Sequence, residues 1–137
     1  MFTVPAGYDD LLERPLYGHL ASIRPDSSIQ VSPMWFHWDG EFLRFAHTKK
    51  RQKYRNVQRN PQVSMSVSDP DNPYRYLELR GSVVRIDPDP TAAFFWKLWN
   101  RYSADKRPAD APAEGEAPPD ASDWVVIVVR PTGFSKH

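Results

Sequence analysis

Residues 62–68 alternate between apolar and polar side chains, and this alternation constrains the fold more than any other feature of the chain. Val63, Met65 and Val67 fall on one side, and serines occupy the positions between and after them. A period of two is typical of a β-strand with one face in the core and the other in solvent, as in antiparallel sheets. The sequence therefore predicts a mainly β fold built from antiparallel strands.

Turn signals divide the rest of the chain into segments of strand length. Asp39-Gly40 is the strongest of these signals, because this dipeptide suits a two-residue hairpin turn. The second half of segment 29–38 is apolar on both faces, so this strand is expected at the centre of the sheet, with Pro33 removing one ladder donor. Six antiparallel strands favour a small closed or partly open barrel. The predicted strands are residues 16–23, 29–38, 41–47, 62–68, 74–86 and 123–129.

Two helices flank these strands in addition to a basic one described below. The first spans residues 8–13 and stops at Pro15. The other has Asp89 as its cap and Pro90 at its first position. This aromatic-rich helix carries more apolar area than a surface helix of one small barrel buries, so a second subunit is expected to cover it. Its apolar face consists of Phe95, Leu98, Trp99 and Tyr102.

Length and composition exclude several classes of protein. The 137 residues favour a single domain over residues 1–137, with a Pro/Ala-rich loop at 108–122. The chain has no cysteine, which excludes disulfides and thiolate sites, and its four histidines lack ligand spacing, so no metal site is expected. No apolar run approaches the roughly 18 residues of a membrane span, and no signal peptide is evident. We therefore expect a soluble, cytoplasmic protein without a membrane partner.

Residues 47–61 concentrate the positive charge of the chain. The whole chain has 18 basic and 17 acidic residues, and six of the basic ones lie in this segment together with no acidic residue. We predict a short helix here, capped by Thr48 and ended by Asn60-Pro61. A helix N-terminus beside Arg51 would bind an anion. A solvated basic face is the other interpretation, but the charge asymmetry favours a phosphate or polycarboxylate ligand.

Motifs for autonomous catalysis are absent from the sequence. Its six glycines form neither a dinucleotide-binding turn nor a P-loop, and no nucleophile elbow occurs. The acidic remainder of the chain argues against a nucleic-acid partner. We assign no catalytic residue, and any enzymatic chemistry is expected to come from a cofactor.

The order of the segments resembles a known superfamily. Ala-His-Thr at 46–48 ends a strand, Arg-Gln-Lys-Tyr-Arg-Asn at 51–56 follows, and Asn-Pro at 60–61 closes the helix. Asn-Pro-Tyr-Arg-Tyr-Leu-Glu-Leu-Arg-Gly then stands at 72–81. These parts resemble the pyridoxamine 5'-phosphate oxidase-like split β-barrel superfamily of flavin and deazaflavin oxidoreductases, in particular its coenzyme F420 branch. The resemblance implies a homodimer with a split barrel of the FMN-binding type and the cofactor between subunits.

The resemblance also implies which residues bind the cofactor. Arg51 and Lys53 match phosphate-binding positions, and Tyr74 and Tyr76 match aromatic positions contributed by the second subunit. Flavin-type oxidases carry an Arg-Lys pair where this chain has Gln52 before Lys53, which counts against phosphopyridoxine oxidase activity itself. The implied cofactor-binding set is Gln30, Ser32, Pro33, Met34, Ala46, His47, Thr48, Lys50, Arg51, Lys53, Tyr74 and Tyr76.

The function implied by the resemblance is that of an F420-dependent reductase. Hydride would pass from the reduced deazaflavin to an activated double bond of a small organic substrate. Two alternatives stay open: an FMN-binding reductase or oxidase on the same fold, and a non-catalytic carrier of F420 or flavin.

Overall fold

The computed structural model describes residues 2–103 and 121–137. Within these residues the chain forms three α-helices, one 3-10 turn and seven strands. The 3-10 turn, Ala121–Asp123, immediately precedes the last strand. In chain order the elements are α1 (Asp9–Glu13), β1 (Gly18–Ile23), β2 (Ile29–Met34), β3 (His37–Trp38), β4 (Leu43–Thr48), α2 (Gln52–Arg59), β5 (Gln62–Asp69), β6 (Asn72–Pro88), α3 (Ala93–Ser103) and β7 (Trp124–Lys136).

The strands pair antiparallel in one curled sheet with the order β2-β1-β5-β6-β7-β4-β3. Its inner face buries the alternating apolar residues of β5 and of the neighbouring strands. A side chain at Gly81 would collide with the carbonyl oxygen of Arg130, so glycine lets β6 approach β7 closely where their register shifts. The sheet confirms the predicted mainly β fold of the FMN-binding split barrel type.

The segment predicted as one central strand at 29–38 is wrong in two respects. It breaks after Met34 and resumes as β3, and β2 lies at the edge of the sheet. The apolar run favoured a central strand, and Phe36 within this run is indeed fully buried. Its N–H group, however, donates to the hydroxyl of Tyr102 over 3.1 Å, in place of a neighbouring strand. At an edge, the missing N–H of Pro33 is readily tolerated.

The last strand is longer than predicted. We expected it to end at Val129, but β7 continues to Lys136 and pairs there with the first half of β6. Because the predicted strand 29–38 is split into β2 and β3, the described residues contain seven strands where the sequence predicted six. The Pro/Ala-rich loop predicted at 108–122 lies almost entirely outside the described residues.

Two predicted helix starts are also corrected. Thr48 does not cap α2, because it belongs to β4, where it pairs with Trp124. Arg51 occupies the N-cap position without a side-chain cap bond, while Asn60 ends the helix as predicted. The third helix begins at Ala93 and leaves Pro90 outside it.

Asp89 nevertheless caps α3 from a distance. Its carboxylate accepts hydrogen bonds from the N–H groups of Phe94 (3.1 Å) and Phe95 (3.4 Å). These bonds satisfy N–H groups of the first turn, which have no partner within the helix. Asp89 therefore fixes where α3 starts against the sheet.

The aromatic side chains of α3 pack largely within the chain itself. Trp96 and Leu98 are 5% and 1% exposed, and Trp35 stacks on Tyr102 with ring centroids 5.2 Å apart. The guanidinium of Arg101 donates to three carbonyl groups at the end of α1, which anchors α3. The expectation that a second subunit covers this helix stays a prediction. Among the described residues, no helix has the length and apolarity needed to cross a membrane.

Candidate active site

A cavity of about 820 Å³ opens beside the ends of β2 and β4, the loop before α2, and α3. Seven of the residues predicted to bind a cofactor line it, because they follow one another at these two strand ends and in the loop. They are Pro33, Met34, Ala46, His47, Thr48, Lys50 and Arg51. The remaining walls come from Tyr17, Trp35, Phe95, Leu98 and Trp124.

One end of the cavity is basic. Lys50 and Arg51 line it, and Arg51 stands at the N-cap of α2, whose first turn contains no acidic residue. The N–H groups of that turn have no partner within the helix, and the helix dipole adds partial positive charge there. Guanidinium, ammonium and N–H groups form a donor set that suits phosphate.

Among the described residues, one acidic side chain forms an ion pair with this basic end. The carboxylate of Asp123 lies 3.3 Å from Lys50 Nζ, and its carbonyl oxygen accepts the N–H of Lys49 over 3.0 Å. Both contacts hold the loop against the start of β7. Asp123 therefore fixes the loop and also lowers its net positive charge.

Much of the remaining cavity wall is aromatic. Phe95 and Trp124 have ring centroids 4.6 Å apart, and Trp35 approaches Trp99 edge to face at 5.9 Å. Aromatic walls of this kind bind flat apolar groups. Sequence reasoning missed Tyr17 and Trp124 as cavity residues and interpreted Phe95 first as core or interface. The sequence indicated only that Tyr17 and Trp124 lie near strand ends. Too many residues share that position for it to identify a cavity wall.

His47 is the most buried polar side chain of the cavity wall. It is 7% exposed, and its Nε2 atom has no hydrogen-bond partner among the described residues. Burial, together with the nearby positive charges of Lys53 and Arg51, lowers the pKa of His47 to about 4. The imidazole is therefore neutral at pH 7.

Lys53 belongs to α2, and its side chain points beneath the helix and does not line the cavity. It is 2% exposed, and its ammonium group donates to Ser32 Oγ and, over 3.3 Å, to the carbonyl oxygen of Leu20. Burial lowers the pKa of Lys53 to about 8. Two predicted cofactor residues, Lys53 and Ser32, are thus partners of each other in this structure.

Gln30, another predicted cofactor residue, belongs to the same buried layer. Its side-chain oxygen accepts a hydrogen bond from Asn56 Nδ2 at 2.9 Å. Asn56 also donates to Ser22 Oγ at 3.1 Å and accepts from Gln52 at 2.8 Å. The structure therefore brings Gln30, Ser32 and Lys53 together, but under α2 and apart from the cavity lining.

Tyr74 and Tyr76 lie elsewhere on the chain. Tyr74 is 79% exposed near the start of β6, and Tyr76 stacks with His137 at a centroid distance of 6.4 Å. Neither residue lines the cavity of its own chain. Their predicted role in the site of a second subunit stays a prediction.

Comparison with known proteins identifies the family. Residues 4–137 match the pyridoxamine 5'-phosphate oxidase family. The chain belongs to this family. Its sequence is also 63% identical to a protein of known structure named F420 reductase, with a TM-score of 0.87 and coverage of 98% of this chain and 100% of that one. Membership of the pyridoxamine 5'-phosphate oxidase family and this similarity indicate an oxidoreductase.

Two solved structures with lower sequence identity share only the fold with this chain. A conserved hypothetical protein from Mycobacterium tuberculosis is 23% identical with a TM-score of 0.75, covering 99% of this chain and 85% of that chain. General Stress Protein 26 from Bacillus anthracis is 18% identical with a TM-score of 0.66, covering 93% and 88%. No curated protein matches the sequence.

Proposed function

We propose that this chain is an F420-dependent reductase that transfers a hydride from reduced deazaflavin to an activated double bond of a small organic substrate. One observation carries the proposal: the cavity joins a basic loop to an aromatic wall, in a chain 63% identical to a protein named F420 reductase. Coenzyme F420, when bound, would supply the hydride. The residues of this chain would bind the reactants, orient them and exclude water.

The basic end of the cavity fits the anionic part of coenzyme F420, which carries a phosphate and a polyglutamate tail. We assign the phosphate to Arg51, Lys50 and the N–H groups at the start of α2. Lys53 stays a predicted phosphate ligand, although Ser32 and the Leu20 carbonyl hold its ammonium group in this structure. The tail carboxylates would meet exposed basic residues that continue along the segment: Lys49, Arg55 and Arg59.

The apolar side of the cavity fits a flat ring and a small substrate together. Met34 and Trp35 adjoin the strand ends, and Phe95 and Trp124 form the wall on the side of α3. A cavity of about 820 Å³ lies within the usual range of about 300–1,000 Å³ for ligand sites. We assign no proton donor, because His47 is neutral at pH 7 and no carboxyl group is among the described residues that line the cavity.

We also propose that the protein is a homodimer in which Tyr74 and Tyr76 reach the site of the other subunit. Support comes from the edge strand β2, where Ile29 and Val31 are 69% and 61% exposed. Open strand edges with apolar side chains commonly form interfaces. Sedimentation at micromolar concentration should detect a dimer, and a folded monomer would contradict this part of the proposal.

A parallel titration of the purified protein with F420 and FMN tests the cofactor. We expect F420 to bind more tightly at low salt, because six basic residues exceed the need of the one phosphate of FMN. The difference should narrow as salt rises, since exposed charges are screened over about 10 Å at 0.1 M. Reversing the charges of Lys49 and Arg55, which are assigned to the tail, should narrow the difference in the same way and leave FMN binding nearly unchanged.

FMN is the alternative cofactor, because the matching family takes its name from pyridoxamine 5'-phosphate oxidase. Equal or tighter binding of FMN at low ionic strength would favour that alternative. A carrier function predicts a third result, in which F420 binds but no enone or quinone in a broad panel is reduced.

A further inference from the structure

One tyrosine in the wall of the cavity is exposed. Tyr17, which directly precedes β1, is 59% exposed and lines the cavity. The other large apolar side chains that are exposed among the described residues do not line it: Ile29, Val31, Tyr74, Val84 and Phe134. The ring of Tyr17 is therefore accessible to a molecule that enters the cavity.

Two further rings stack with Tyr17 and fix its position. Its ring lies against that of Tyr102, with centroids 6.1 Å apart and an angle of 10° between the ring planes. The ring of Tyr102 also stacks on Trp35, at 5.2 Å and again 10°. The three rings are thus nearly parallel, and the two that line the cavity share Tyr102 as their stacking partner.

The hydroxyl group of Tyr102 strengthens this arrangement. It accepts the N–H group of Phe36 at 3.1 Å and donates to the carbonyl oxygen of Leu16 at 2.8 Å. The first bond holds the backbone beside Trp35, and the second holds the backbone beside Tyr17. Burial raises the pKa of Tyr102, so its hydroxyl stays protonated and able to donate. The exposed ring is therefore held in place before any ligand binds.

The chemistry of this wall narrows the kind of ligand. A fixed and accessible aromatic ring favours a flat conjugated group, because offset stacking needs two planar surfaces. A puckered, saturated ring makes less of this contact. Among the described residues that line the cavity, the charged side chains are Lys50 and Arg51, and the proposed function assigns both to the phosphate. The wall beside Tyr17 therefore suits an uncharged group.

We propose that Tyr17 is a specificity-determining residue that selects substrates whose activated double bond belongs to a flat, uncharged, conjugated ring system. The substrate stacks on the accessible part of the Tyr17 ring, which Tyr102 holds in place. The inference rests on the proposed function, because the substrate must bind in the same cavity. It adds to that function the shape of the substrate and a residue outside the cofactor-binding set.

The test compares the wild-type protein with Tyr17→Leu and Tyr17→Phe. Each protein is saturated with coenzyme F420 and titrated calorimetrically with naphthol and with decahydronaphthol, which share one two-ring skeleton in flat and puckered form. Steady-state reduction of naphthoquinone provides KM and kcat. The matched control is Tyr8→Leu, because Tyr8 is a partly buried tyrosine beside the guanidinium of Arg75 and does not line the cavity. Thermal unfolding and sedimentation are measured for every variant.

We expect the wild-type protein to bind naphthol more tightly than decahydronaphthol. Tyr17→Leu should bind naphthol about three- to tenfold more weakly, as expected for the loss of one aromatic pair, and decahydronaphthol nearly as before. KM for naphthoquinone should rise by a similar factor with little change in kcat, because the ring binds the substrate without taking part in hydride transfer. Tyr17→Phe should behave as the wild type, since stacking needs the ring and not the hydroxyl. F420 affinity should be unchanged in both variants.

The control separates this role from a loss of stability. Tyr8→Leu should retain the preference for naphthol, including where its melting temperature falls. A wild-type preference in folded Tyr17→Leu would overturn the inference, and so would an equal loss for naphthol and decahydronaphthol. An altered sedimentation coefficient of Tyr17→Leu would overturn it too, because Tyr17 would then belong to an interface between subunits.

The wild-type protein distinguishes failure of the inference from failure of the proposed function. If it binds F420 and reduces other substrates but does not bind naphthol, the inference alone is overturned. Failure to bind F420, or to reduce any enone or quinone, would instead refute the proposed function, and the inference with it.

Discussion

The buried polar groups beneath α2 and at the cavity wall differ in how they are satisfied. Beneath the helix, Asn56 bonds to Ser22, Gln30 and Gln52, and all of these bonds are 3.1 Å or shorter. At the cavity, His47 is almost as buried but its Nε2 has no partner among the described residues. One polar layer is complete within the chain, and the other is left open.

This difference separates residues that build the site from residues that use it. A complete network fixes the orientation of α2 and with it the position of Arg51 at its start. The unpaired nitrogen of His47 lowers stability, because a buried polar group without a partner is costly. Changes in the layer under α2 should therefore alter folding, and changes in the basic loop at the cavity should alter binding.

Replacing Asn56 with leucine should produce the largest effect. The change leaves Ser22 and Gln30 without their buried partner, so we expect the free energy of unfolding to fall by about 2–4 kcal/mol. Urea denaturation measures this loss. Gln58→Leu is the matched control, because Gln58 is an exposed amide on the same helix and should have little effect. Similar stability in both variants would contradict the assigned role of the network.

Arg51→Ala should affect binding more than folding, the opposite of the change at Asn56. The exposed guanidinium contributes little to stability, but losing a charge-assisted hydrogen bond to phosphate should weaken F420 binding by about 1.5–3 kcal/mol. Arg24→Ala provides the control, since Arg24 is an exposed arginine between β1 and β2 that does not line the cavity. Calorimetric titration measures both affinities. Equal losses in the two variants would reduce Arg51 to a general surface charge.

The type and order of the elements were predictable because they depend on local patterns. Alternation identified β5, and turn dipeptides separated most of the other strands. Element boundaries failed where distant partners decide them. The sheet pairing is interrupted at Phe36, whose N–H group donates to the hydroxyl of Tyr102. Thr48 continues β4 because it pairs with Trp124. Neither partner is visible from the neighbouring sequence.

The candidate site was predictable to the extent that it follows one stretch of chain. The residues at 33–34, 46–48 and 50–51 meet because β2 and β4 both end at the cavity. The aromatic wall combines Tyr17, Phe95 and Trp124, which are far apart in sequence and share no motif. Lys53 was assigned by resemblance, while its buried position depends on its contacts with β1 and β2.

The pH dependence of stability should reveal the burial of Lys53. Its pKa is lowered to about 8 in the folded state, against about 10.4 for an unperturbed lysine. Between these values the unfolded chain holds more protons, so stability should rise with pH by up to about 3 kcal/mol. Lys53→Met should abolish this rise, whereas Lys49→Met, at an exposed site, should retain it. Parallel stability curves for wild type and Lys53→Met would contradict the buried position.

Asp123→Asn should give the smallest effect, and it tests how the charge of the basic end influences binding. The carboxylate lies 3.3 Å from Lys50 and opposes anion binding at the basic end, while its backbone bond to Lys49 does not depend on the side chain. Exposed pairs contribute less than about 1 kcal/mol, so we expect F420 affinity to rise only two- to threefold at low salt. The gain should vanish at high salt, because the charges involved are screened. Weaker binding in Asp123→Asn would mean that the carboxylate acts mainly by holding Lys50 in place.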